Sequence, residues 1–90
     1  MATAIVSHKV KDFKVWKPFF DEDRKRRQEM GIKELKQGHK ADDPNEIYFV
    51  WEIDDMAKFQ AGANDPGLHA VMEKAGVIGG MNVTIIDEFK

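Results

Sequence analysis

The run Ile47-Tyr48-Phe49-Val50-Trp51 decides how this chain must fold. It is apolar or aromatic without a break, at a length typical of one strand. Successive side chains of a strand point to opposite faces of its sheet. Ile47, Phe49 and Trp51 therefore point one way, while Tyr48 and Val50 point the other. A single layer of helices buries only one of those faces. The other needs a second sheet, and the simplest source is a second copy of the chain, so the run predicts a homodimer.

Working outward from that run, Asp42-Asp43-Pro44-Asn45 carries turn chemistry, which makes Glu46 to Asp54 a hairpin partner of Ile32 to Ala41. The latter is thinly apolar and rich in lysine, as a protected edge strand is. Upstream, Asp12 is an N-cap for a helix running through Met30, with Phe13, Trp16, Phe20 and Met30 on one stripe and Gly31 as its stop. Pro18 predicts a kink there, or a helix whose regular part begins near it. Thr3 to Val10 reads as the first strand, with Ile5 and Ser7 on one side and Val6, His8 and Val10 on the other.

Downstream, Asp54 or Asp55 caps a short helix bearing Met56, Phe59 and Ala63. Asp65 and Pro66 open another, with Leu68, Val71, Met72 and Ala75 at core spacing. Gly76 ends it, Gly79-Gly80 reads as a turn, and Asn82 to Phe89 as the last strand. The order βαββαβ is the split β-α-β, ferredoxin-like α+β arrangement. It implies a four-stranded antiparallel sheet with helices on one face and the first and third strands in the middle.

Ninety residues make a single domain, 1–90, near the lower limit for a comfortable core, so association would add stability. The net charge of −2 provides no general attraction to nucleic acid or anionic lipid. The absence of cysteine excludes disulfides, thiolate nucleophiles and zinc–sulfur sites. Met1 to Val6 lacks the features of a secretory signal, and no segment reaches the roughly 18 apolar residues of a membrane span. The expectation is a cytoplasmic protein with no nucleic-acid or membrane partner.

The chain resembles a known group. Val10-Lys11-Asp12-Phe13-Lys14-Val15-Trp16-Lys17, Gly31, Asp42-Asp43-Pro44-Asn45-Glu46, Trp51-Glu52-Ile53-Asp54-Asp55, Asp65-Pro66 and Lys74-Ala75-Gly76-Val77 carry the likeness. It is similar to small bacterial members of the dimeric α+β barrel superfamily, whose best-known branch is the antibiotic biosynthesis monooxygenase-like proteins. The resemblance implies two sheets packed face to face in a homodimer, with a pocket between sheet and helices in each subunit. It also implies chemistry of the kind found in cofactor-independent oxygenases, haem-degrading enzymes, or isomerases of small ring compounds. The haem-degrading branch needs a histidine where this chain has Phe59-Gln60-Ala61, so no haem or other cofactor is carried over.

Three histidines are the candidate acids or bases: His8, His39 and His69. His8 is the best catalytic candidate, because a central, apolar setting would perturb its pKa; the plain alternative is a hydrogen-bonded core residue. His39 reads as solvated and His69 as a boundary residue paired with Glu73. None stands at the spacing of a metal site, so no metal is expected. Trp16, Phe20, Trp51, Phe59, His69 and Met72 are the candidate ligand-binding set, facing a small apolar or aromatic molecule. Arg24-Lys25-Arg26-Arg27, flanked by acidic residues, reads as a solvated helix face.

Two functions follow. One is a cofactor-independent, monooxygenase-like enzyme, which predicts a closed pocket of about 300 Å3 or more holding an inward polar group. The other is a non-catalytic dimeric binding or scaffold module. That predicts a filled core with every histidine at the surface or satisfied by backbone.

Overall fold

The computed structural model describes residues 2–89. Its elements run β1 (Ala2–Val10), α1 (Phe13–Glu22), α2 (Arg24–Glu29), β2 (Ile32–Lys40), β3 (Asp43–Ile53), α3 (Met56–Ala63), α4 (Pro66–Lys74) and β4 (Val77–Ile86). The sheet has the order β2-β3-β1-β4, with every neighbouring pair antiparallel. β1 and β3, which carry most of the buried strand residues, hold the centre, and the lysine-bearing β2 holds an edge, where exposed charge deters unwanted pairing.

Alternation along the central strands sets the layers. Ile47, Phe49, Trp51 and Ile53 of β3 are buried beneath the helices, as are Ala4, Val6, His8 and Val10 of β1. Register aligns them: Val6 lies opposite Phe49, Ala4 opposite Trp51 and His8 opposite Ile47. Trp16, Met30, Phe59 and Ala75 close the core from the helix side. Each large side chain buried this way contributes about 1.5–3 kcal/mol of transfer free energy. On the other face, Ile5, Tyr48, Ile78 and Ile86 are exposed.

The helix caps are local and follow the sequence. Asp12, Asp55 and Asp65 each accept a backbone N–H of their own first turn, from Lys14, Lys58 and Gly67. Gly31 takes the positive φ of 72° expected of a helix stop. Three expectations are corrected. The long helix runs on through Pro18, which sits inside α1, and breaks instead at Asp23, whose N–H reaches both Phe19 and Phe20 carbonyls. Acidic Asp21, Glu22 and Asp23 oppose the dipole at the end of α1, and Asp23 suits the start of α2.

The hairpin between β2 and β3 turns at Ala41-Asp42, so Asp43 to Asn45 belong to β3. Asn45 is instead used across the molecule: its Oδ1 accepts from Phe13 N–H at 2.9 Å and its amide donates to the Lys11 carbonyl at 3.3 Å. Gly79-Gly80 is not a turn before the last strand but lies within β4. Between Ser7 and Lys9 of β1, β4 advances from Asn82 back to Ile78, an irregularity that inserts extra residues. Gly79 supplies the positive φ of 71° such a bulge requires. β4 then ends at Ile86, short of Phe89.

Candidate functional site

The burial of β1 and β3 under α1 to α4 leaves a cavity of about 70 Å3 between sheet and helices. His8, Phe49 and Trp51 form its floor, Trp16, Phe20 and Arg27 one wall, and Phe59, Met72 and Met81 stand among the rest of its lining. The rings are interlocked. Trp16 stacks on Phe20 at 4.8 Å, Phe20 on Phe49 at 5.3 Å, and Phe49 on Trp51 at 4.7 Å. This packing makes the space smaller than the roughly 300 Å3 of an ordinary ligand pocket.

His8 is the chemical centre of the floor. It is 6% exposed, and its ring meets Trp16 at 5.5 Å and Phe49 at 5.6 Å edge-on. Neither ring nitrogen has a hydrogen-bond partner, and the Trp51 Nε1 is equally unpaired. Desolvation by burial lowers the His8 pKa from 6.5 to about 4, so the ring is neutral at pH 7. A neutral imidazole offers one donor and one acceptor, and an indole one donor.

Arg27 corrects the reading of a wholly solvated basic face. It is 7% exposed, with its guanidinium 3.6 Å from the centre of the Phe20 ring. Its Nε pairs with Glu34, and its Nη1 donates to the Phe20 carbonyl at 2.6 Å. The signal was present: Phe20 and Arg27 are seven residues apart, two helical turns, and so share a stripe. The neighbouring Arg26 pairs with Asp23 at 3.0 Å and Asp65 at 3.3 Å.

The structure thus brings His8, Trp16, Phe20, Trp51, Phe59 and Met72 to one cavity and leaves His69 out of it. His69 is exposed over a separate shallow groove, and its Nε2–H donates to the Ala63 carbonyl at 2.8 Å rather than pairing with Glu73. The first turn of α4 overlies the end of α3, where that carbonyl lacks a helical partner. His39 is exposed too, donating from Nδ1–H to the Lys40 carbonyl at 2.9 Å. Phe49 of the central run and Met30 of the helix stripe join the lining as well, and Met81 joins it without having been singled out from the sequence. Among the described residues no three potential ligands cluster as a metal site would need, and no helix is long and apolar enough to cross a membrane.

No family model matches the chain, and no curated protein matches its sequence. Solved structures match its fold along nearly its whole length. A crystal structure of an antibiotic biosynthesis monooxygenase aligns with a TM-score of 0.76 and 19% identity, covering 100% of both chains. SnoaB, a cofactor-independent oxygenase from Streptomyces nogalater, aligns at 0.71 and 12% identity, covering 98% of this chain and 94% of its own. An uncharacterized NIPSNAP domain protein from Burkholderia xenovorans aligns at 0.63 and 14% identity, covering 99% and 95%. Identities this low speak to backbone architecture alone. The chain has the ferredoxin-like α+β fold of the antibiotic biosynthesis monooxygenase-like proteins.

Proposed function

We propose that the protein is a single-domain, cytoplasmic homodimer that binds a small apolar or aromatic metabolite between sheet and helices, for monooxygenase-like chemistry without a metal or tightly bound cofactor. One observation carries the reading: the buried nitrogens of His8 and Trp51 lack partners in a cleft made chiefly of rings and methionines. Each unpaired buried polar group costs about 1–3 kcal/mol, and folded proteins retain few of them. A ligand that provides the missing partners offsets that cost when it binds.

His8 acts here by orienting the ligand more than by removing its proton. A base whose pKa lies near 4 is a weak proton acceptor at neutral pH, whereas a neutral imidazole is a good hydrogen-bond partner. Trp51 in the floor and Phe59 in the lining shape the space, and burial keeps the reacting ring dry. The dimer is supported by the exposed apolar side chains on the far face of the sheet, Ile5, Tyr48, Ile78 and Ile86. Charged Lys9, Glu46 and Glu52 flank this patch as a polar rim would.

The second reading, a non-catalytic module, is favoured by one feature: the cavity of about 70 Å3 is nearly filled by its own rings. Oxygen uptake and tryptophan-fluorescence titrations with a panel of aromatic metabolites separate the two. The enzyme reading expects turnover of a bound compound, and about tenfold weaker binding by His8→Ala, the loss of roughly one hydrogen bond. Binding without turnover supports the module, and normal binding and turnover by a folded His8→Ala protein ends the role given to His8.

A further inference from the structure

We infer that the cavity selects an uncharged, single-ring compound carrying a carbonyl-type oxygen at one end and a hydroxyl at the other. The inference rests on the reading of this cavity as the ligand site and deepens it by naming the class of ligand. Three observations carry it, concerning polar complementarity, charge and size.

The polar groups stand on either side of Phe49 in the floor of the cavity. His8 lies opposite Ile47, while Trp51 lies two residues beyond Phe49 on the same strand. Phe49 therefore separates them along the sheet, with ring centres 5.6 Å from His8 and 4.7 Å from Trp51. The Trp51 indole only donates, so its unpaired N–H calls for an acceptor oxygen such as a carbonyl. A neutral His8 both donates and accepts, so a hydroxyl at the other end satisfies it in either direction.

The charges around the cavity are already cancelled. Arg27 is held by Glu34 and the Phe20 carbonyl, and Arg26 by Asp23 and Asp65. A carboxylate entering beside them finds no unpaired cation and loses its hydration. An aromatic acid is thus rejected where its uncharged counterpart is accepted.

Size sets the third limit. A cavity of roughly 150 Å3 lined by hydrocarbon holds benzene. The space here, about 70 Å3, takes no more than one ring, and only as Met30, Met72 and Met81 shift rotamer. Fused polycyclic ligands do not fit.

The test is a calorimetric titration of the intact protein at pH 7 with 4-hydroxybenzamide, 4-hydroxybenzoate and toluene. The amide and the carboxylate are close to the same shape and differ in charge. The amide is expected to bind at least tenfold more tightly than either of the others, and Trp51→Phe to shrink its advantage over toluene to less than threefold. Equal affinity for the amide and the carboxylate overturns the inference, as does an unchanged advantage in a folded Trp51→Phe protein. Toluene binding as well as the amide overturns it while leaving the cavity a ligand site. If none of the three binds, both the inference and the ligand-site reading fall.

Discussion

Lowering the pH from 6.5 to 4 is expected to destabilise the native protein by about 3 kcal/mol more than it destabilises a His8→Phe variant. Burial among Trp16 and Phe49 depresses the His8 pKa from 6.5 to about 4. Between those values the unfolded chain binds a proton that the folded chain refuses, so stability rises with pH. The contribution is complete above pH 6.5, falls as the pH drops toward 4, and falls no further below that. Phenylalanine fills nearly the same space and cannot be protonated. At pH 7 the variant should match or exceed the native protein, because it removes two unpaired buried nitrogens. Urea denaturation at a series of pH values gives the comparison. Parallel pH profiles for the two proteins would show that His8 is solvated or paired in solution.

Phe49→Ala is expected to cost about 3–5 kcal/mol, a large share of the 5–15 kcal/mol typical of a folded domain. Phe49 is 2% exposed and stacks on both Phe20 and Trp51. Its removal takes away transfer energy and leaves a hole that interlocked rings cannot easily close. The same hole adjoins the cavity, so the variant should accept a two-ring ligand that the native protein excludes. Denaturant midpoints measure the first effect and fluorescence titration with a two-ring alcohol the second. A loss under about 1.5 kcal/mol would mean that the ring stack relaxes freely and that its packing does not define the site.

The features legible in the sequence are those set by short-range physics. The βαββαβ order placed β1 and β3 at the centre of the sheet, and the unbroken apolar run over residues 47–51 agreed with it. Asp12, Asp55 and Asp65 announced their helices, since a cap acts on amides two or three residues away. Long-range compensation was less legible. Gly79-Gly80 has the composition of a turn, and only pairing with β1 converts it into a bulge within β4. Asn45 looked like part of a turn but serves the first turn of α1, 32 residues away in sequence.

The cavity was partly legible for the same reason. Trp16 and Phe20 share a helix stripe, and His8 and Trp51 share a sheet face, so their meeting follows from amphipathic patterning. Arg27 escaped notice because its charge masked its position on that stripe, and its burial depends on Glu34 from a different element. His69 was drawn in by its place beside Leu68, yet one residue of helical rotation turns it toward Ala63.

Behind the cavity, the hydrogen-bonding argument and the proposed dimer stands one claim: β3 has two apolar faces and needs two coverings, of which the helices supply one. Sedimentation equilibrium of the purified chain at micromolar concentration tests it most directly. The account predicts a species of twice the 10.3 kDa chain mass. A stable species at the mass of one chain, with Ile5, Tyr48, Ile78 and Ile86 left in water, would contradict it.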